Sequence, residues 1–417
     1  MFVRIDNTPR DYAWGSRSAI AAFRGRPESG APEAELWLGA HAGSPARLVD
    51  EASVGHADLA QWIAADPAAA LGPELGGEHE PRLPLLLKVL AAAAPLSLQA
   101  HPTPEQAQAG YAREDADGIA LDAYDRNYKD RFHKPELIVA VSDTFDALSG
   151  FRPFDEVRTI VQVLREADTA SPTPQPGALD LLEAHLGADA PLADTVEWLL
   201  RDGRGGDSGE AAWVIERVVA LAGSTVAAAS PYADSFATVL ALAEEYPGDP
   251  GIVISLLLNR VRLRRGEALY LAAGNIHAYL DGLGIELMAA SDNVLRGGLT
   301  PKHIDVSELL EVLDFTPMPP PRLEPERPAP GLEVFRPAVA DFVLYRVEAG
   351  DSDAPRVALD GPAIVLAEGD EVWLEGERGV ASLGRGDALY VTPDEGELAI
   401  SGPGIAWIAT TGTAAGR

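Results

Sequence analysis

Three short segments carry side chains whose types and spacing suit a shared metal ion. In Leu96-Ser-Leu-Gln-Ala-His-Pro102, alternation on a strand puts Ser97, Gln99 and His101 on one face. In His133-Lys-Pro-Glu136, an extended Lys-Pro step precedes a carboxylate. In Ala273-Gly-Asn-Ile-His-Ala-Tyr279, the same period of two gives His277 and Tyr279 a common face. The chain has no cysteine, so thiolate sites and disulfides are excluded. Imidazole and carboxylate suit zinc or another borderline divalent ion. His133 stays open as ligand, support or neither, while His41, His56, His79, His185 and His303 read as ordinary core or surface residues.

The cations give a second signal. Of 33 basic residues only four are lysine: Lys88, Lys129, Lys134 and Lys302. In a chain that uses arginine so freely, a retained lysine marks a place for a compact, rotatable ammonium whose pKa can move. All four lie in or beside the segments singled out for chemistry.

The net charge of −31 excludes a nucleic-acid backbone as partner, since phosphates need a basic footprint. A phosphate ester could bind only where cations cluster locally. Hydrophobic residues make up 47%, and mean hydropathy is −0.02, as in ordinary globular proteins. The longest apolar run, Leu83 to Leu98, is broken by Lys88 and Pro95, so no membrane span is expected. The opening Met1-Phe-Val-Arg-Ile-Asp6 lacks the pattern of a signal peptide, and a cytoplasmic location is expected.

The elements that must position these residues divide the chain. Residues 1–153 read as strands and turns with little helical periodicity. From 154 to about 254, Val157, Ile160, Val161 and Leu164, then Val214, Val218 and Leu221, recur at helical spacing. Five or six short helices are expected there, separated by turns at 171–177 and 202–209. Strands resume through 255–316, ending in a helix around Val306 to Leu313. Seven prolines in 317–330 predict a semi-rigid linker. Residues 331–417 read as a β-sandwich or barrel. An echo joins the two β regions: Arg265-Gly-Glu-Ala-Leu-Tyr-Leu-Ala272 recurs 120 residues later as Arg385-Gly-Asp-Ala-Leu-Tyr-Val-Thr392. His277 follows the first by twelve residues, and Glu397 follows the second, so the second region is expected to bind no metal.

These segments resemble the type I mannose-6-phosphate isomerase family. The likeness is carried by Tyr12-Ala-Trp-Gly-Ser16, Glu33-Ala-Glu-Leu-Trp-Leu-Gly39, Pro84-Leu-Leu-Leu-Lys-Val-Leu90, Leu98-Gln-Ala-His-Pro102, His133-Lys-Pro-Glu136 and Phe145-Asp-Ala-Leu-Ser-Gly-Phe-Arg152. It continues through Gly266 to Leu280 and Ser291-Asp-Asn-Val-Leu-Arg-Gly-Gly-Leu-Thr-Pro-Lys302. The resemblance implies a mainly β fold: a catalytic cupin interrupted by a helical insert, then a C-terminal jelly roll. It implies one zinc ion per chain, held by Gln99, His101, Glu136 and His277.

The implied reaction interconverts mannose 6-phosphate and fructose 6-phosphate through a cis-enediol, in carbohydrate metabolism and the supply of mannose for GDP-mannose and glycans. Arg296 is carried over as catalytic, and Lys134, Glu286 and Asp292 are candidate proton carriers. Ser97, Lys88, Tyr279, Lys302 and Trp14 are candidate substrate contacts. A sugar phosphate is the expected partner and a monomer the expected state. Two alternatives stay open: an Fe(II) site on His101, Glu136 and His277 for oxygen chemistry, and a non-catalytic sugar-binding cupin.

Overall fold

A computed structural model describes residues 1–187, 191–204, 208–348 and 354–412. Residues 205–207 of the expected glycine turn, and 349–353 and 413–417 of the expected C-terminal region, lie outside the described residues.

The spine is the thirteen-residue strand His277–Ala289. Its first part pairs antiparallel with Thr144–Phe151 and meets Leu98–Ala100 at His277. From Gly282 onward it pairs with Leu85–Ala92 on one side and Glu136–Ala140 on the other. Glu35–Leu38, Ala268–Leu271, Leu258–Arg264 and Leu295–Gly298 complete a nine-stranded assembly.

Alternation then sorts the side chains. Leu137, Val139 and Val141 join one apolar cluster, with Leu85, Leu87, Val89, Ile285 and Leu287 from neighbouring strands. Ile138 and Ala140 join another, with Leu90 and Ala92. The first cluster also takes in Phe335, Phe342, Leu344 and Trp407, so the C-terminal region packs on the back of the strands that carry the site.

That region forms a four-stranded sheet and most of an eight-stranded one. Chain order does not divide them cleanly, because the first strand, Phe2–Asp6, pairs with Ala388–Val391 of the C-terminal sheet. The proline-rich stretch is docked: Leu323 N–H donates to Ala268 O, Tyr270 N–H to Pro321 O, and Glu326–Ala329 forms an edge strand. Proline suits such an edge, where a missing N–H is tolerated.

Between 154 and 257 the described residues form seven helices, from Phe154–Ala170 to Gly251–Leu257, one or two more than the spacing predicts. Their apolar faces share a cluster with Leu98, Ala100, Ile276 and Leu295, from the strands beside the site. The region before 153 holds more helix than its periodicity suggests. Pro104–Ala116 is set by its cap: Thr103 accepts from Gln106 N–H while the Gln106 side chain accepts from Thr103 N–H. Asp58 and Asp66 cap Leu59–Ala65 and Pro67–Gly76 by the side chain alone, accepting from Gln61 N–H and Ala69 N–H. No helix among the described residues is long and apolar enough to cross a membrane.

Candidate metal centre

Sheet register builds the site. His277 lies opposite Gln99, and Gln99 lies opposite Arg296. Directly opposed residues send their side chains to the same face, so Arg296, Gln99 and His277 form one row across three strands. His101 follows the short strand Leu98–Ala100, and Glu136 opens the strand Glu136–Ala140. His101, Glu136 and His277 are almost wholly buried.

Their potential ligand atoms lie within 4.8 Å of one another. His101 Nε2 is 3.2 Å from Glu136 Oε1, and His277 Nε2 is 3.2 Å from Oε2. The opposite ring nitrogens fix the tautomers: His101 Nδ1 donates to Asn293 O at 2.8 Å and His277 Nδ1 to Asn275 O at 3.0 Å. Neither Nε2 has a hydrogen-bond partner. Burial pushes the His101 imidazole down to about 4, against the pull of Glu136, so the ring is neutral near pH 7. The His101 lone pair therefore faces one carboxylate oxygen, and His277 Nε2 faces the other, in a dry interior, an arrangement that a divalent cation between them would satisfy. The donor set fits zinc.

Lys134 borders this group, its Nζ 3.0 Å from Glu136 Oε1. Burial pushes the Glu136 carboxyl up, but the Lys134 ammonium, first among the opposing influences, outweighs it and the carboxyl lies well below the usual range.

A second buried cluster adjoins. Lys88 lies in register between Trp37 and Glu286, with its Nζ 2.9 Å from Glu286 and 3.4 Å from Glu35. Burial would lower the Lys88 ammonium, yet Glu286 and Glu35 keep it above its ordinary value. Burial raises the Glu286 carboxyl despite Lys88. The Tyr279 hydroxyl is buried without a hydrogen-bond partner, and burial holds it well above the usual phenol range. Trp14 stacks on Tyr12 and packs against the apolar cluster that includes Tyr279.

The other expected residues sit further out. Neither Arg296 nor Lys302 has a carboxylate within ion-pair distance among the described residues. Burial lowers both, and the Arg296 charge lowers Lys302 further. Two unneutralised cations that sense each other raise the local potential of an acidic protein. Ser97 is half-buried just before its strand. Asp292 is half-exposed and holds His41 Nε2 at 3.1 Å. It lines an open cavity of about 380 Å³ with Arg82, Lys129, Asp130 and Phe132, and none of the three clustered ligands lines that cavity. Lys129 donates to Leu121 O at 2.8 Å, outward from the site. His133 stays out of the ligand group: its Nε2 donates to Asp341 at 2.9 Å.

Two participants were missed in the sequence. Glu35 accepts from Trp37 Nε1 at 2.9 Å and shares Lys88. Asn293, fully buried, orients His101 through its backbone carbonyl, an interaction that leaves no mark of residue type.

Residues 2–154 match the family described as phosphomannose isomerase type I, catalytic domain. The mannose-6-phosphate isomerase of Escherichia coli (strain K12) is 35% identical over 405 residues, covering 96% of this chain and 97% of that one. The Homo sapiens mannose-6-phosphate isomerase is 32% identical over 381 residues, covering 86% and 85%. Among solved structures, a mutant phosphomannose isomerase from Salmonella typhimurium superposes with a TM-score of 0.86 at 31% identity, covering 99% of this chain and 100% of that one. A mannose 6-phosphate isomerase bound with zinc and yttrium superposes at 0.84 with 32% identity, again over 99% and 100%.

Proposed function

The chain belongs to the type I mannose-6-phosphate isomerase family, and from that premise we propose that it interconverts mannose 6-phosphate and fructose 6-phosphate with one zinc ion held by Gln99, His101, Glu136 and His277. The observation that carries the reading is the pair of unpartnered Nε2 atoms facing the two Glu136 oxygens. Gln99 joins the set because its register puts it beside His277.

Isomerisation moves a proton between carbons 1 and 2 through a cis-enediol, which requires a positioned proton carrier and stabilisation of developing negative charge. Bound zinc supplies Lewis-acid or template chemistry at the sugar oxygens. Lys134 is the first choice of proton carrier, since it borders the ligand group and can exchange a proton where arginine cannot. Glu286, buried against Lys88, and Asp292, held to His41, rank behind it. Arg296 stabilises developing charge, and Lys302 and Ser97 hold the phosphate end. Lys88, already shared by two carboxylates, orients Glu286 as well as meeting a hydroxyl. Tyr279 and Trp14 line the sugar.

The same reading takes the nine-stranded assembly as a cupin, 154–254 as its helical insert, 317–330 as the connection and 331–417 as a jelly roll. It makes the chain a cytoplasmic monomer that supplies mannose for GDP-mannose and glycan synthesis.

A coupled assay converting mannose 6-phosphate to fructose 6-phosphate tests the function. Turnover should vanish with a chelator and return with added zinc. Activity that survives full metal removal would contradict the reading.

A further inference from the structure

We propose that Asp341, from the C-terminal region, is a positioning residue for the metal centre, acting on the ligands through His133 and the loop 129–134. This rests on the zinc site proposed above.

The loop runs from Lys129 to Lys134 and is held at three points. Asn293 Nδ2 donates to Asp130 O and to Phe132 O, each at 2.8 Å, and Asn293 Oδ1 accepts from Lys129 N–H at 2.7 Å. The backbone carbonyl of the same Asn293 accepts from His101 Nδ1 at 2.8 Å, so the loop and one metal ligand share an anchor. At the loop's end Lys134 Nζ reaches Glu136 at 3.0 Å, and Pro135 O accepts from Ala289 N–H at 3.1 Å. Between these anchors, His133 turns away and donates to Asp341 at 2.9 Å, both side chains being mostly covered. On the other flank the Arg82 guanidinium lies 3.5 Å from the Phe132 ring centroid.

Asp341 is itself firmly placed. Its neighbour Phe342 is fully buried in the apolar cluster that includes Leu137 and Val139, on the strand that begins with Glu136. On its other side Ala340 O accepts from Gly412 N–H at 3.1 Å. A region that merely covered apolar surface would need no carboxylate reaching across to the ligand loop. Residues that orient metal ligands set affinity even when they never touch the ion.

The test uses the full chain, wild type and variant, with zinc affinity read by competition against a chromophoric chelator, alongside kcat, KM and the Tm of metal-free protein. Asp341→Asn should weaken zinc binding by about 10-fold, the low end for groups that support ligands. Its kcat should fall with KM nearly unchanged, and Asp341→Glu should recover most of the loss. His133→Asn should weaken zinc equally, and the double variant should be no worse than either single one, because both remove one contact. If Asp341→Asn does not fold, His133→Asn and Asp341→Glu carry the comparison. A fall in Tm with zinc affinity unchanged would reduce the pair to a structural contact and overturn the inference, as would losses that multiply in the double variant. Absence of zinc binding by the wild type would instead remove the zinc site itself.

Discussion

Strands Ala268–Leu271 and Ala388–Val391 begin alike and end in different chemistry. Each follows an Arg-Gly turn whose glycine is left-handed, Gly266 with φ 83° and Gly386 with φ 72°, a conformation open to glycine without strain. Beyond the first strand the chain reaches His277, buried against Glu136. Beyond the second it reaches Glu397, which is 45% exposed and paired with Arg356 at 2.7 Å. The surroundings differ in the same sense. Between the two C-terminal sheets lies an apolar cluster of Val334, Val365, Leu374, Leu389, Ile400, Ile408 and similar residues. In the catalytic assembly, His101, Lys88, Glu136, His277 and Glu286 are buried together instead. The turn and strand are therefore scaffold, and function depends on which inward positions trade apolar packing for charges that need one another.

The largest expected contrast comes from matched substitutions at the two carboxylates. Glu136→Gln leaves the two imidazoles without an anionic partner for the cation, and should cost more than about 100-fold in turnover, beyond the range for residues that only support a ligand. Glu397→Gln removes an exposed pair and should change stability by less than about 1 kcal/mol, with kinetics unaltered. Similar losses in both would erase the distinction between the regions.

Next in size is the lysine exchange. Lys134→Arg keeps the charge but not the compact, exchangeable ammonium, and kcat should fall by about 100-fold, the low end for a proton carrier. Lys129→Arg, with its ammonium on a backbone carbonyl at the surface, should be nearly silent. A near-normal kcat for Lys134→Arg would leave that lysine only its charge.

The buried charges also predict a stability effect that an apolar interior cannot show. Lys88→Met leaves Glu35 and Glu286 buried without their shared counter-charge, at a cost of about 3–5 kcal/mol in urea unfolding. A loss below about 1 kcal/mol would mean that the cluster is solvated.

A smaller effect follows from pH in the metal-free protein. The folded value for His101 is about 4, below its ordinary 6.5. Above pH 6.5 the ring is neutral whether folded or not, so stability is complete. As pH falls from 6.5 toward 4 the unfolded chain binds the proton first, and stability drops by on the order of 3 kcal/mol. The depressed Glu136 carboxyl acts in the same direction, its contribution lost as pH falls below the ordinary carboxylate range. A Tm that is flat between pH 7 and 4.5 would contradict this.

Much of the site was legible, because period-two alternation and a cysteine-free composition confine the ligand choices. Gln99 and His277 lie on paired strands where alternation puts them, Glu136 opens a third strand and His101 comes just after its own; of the four lysines that the census marks, Lys88 and Lys134 prove buried and paired. What escaped depends on distance along the chain. Alternation marks Phe2–Asp6 as a strand but cannot say that its partner is Ala388–Val391. Glu35 gains its role only when sheet pairing brings Lys88 beside it. His133 could not be assigned until folding brought Asp341 to it. The helix Pro104–Ala116 is a different case, since its Thr103–Gln106 capping box stood in the sequence and periodicity was the wrong signal to consult.

Under the proposed function, buried polar groups of the catalytic assembly, and not of its C-terminal counterpart, hold one zinc ion. Anomalous diffraction at the zinc edge on crystals of the active full chain measures this directly. One peak is expected among Gln99, His101, Glu136 and His277, with His101 and His277 Nε2 at about 2.0–2.1 Å. A peak placed elsewhere, or a vacant site in crystals of protein that turns over substrate, would contradict it.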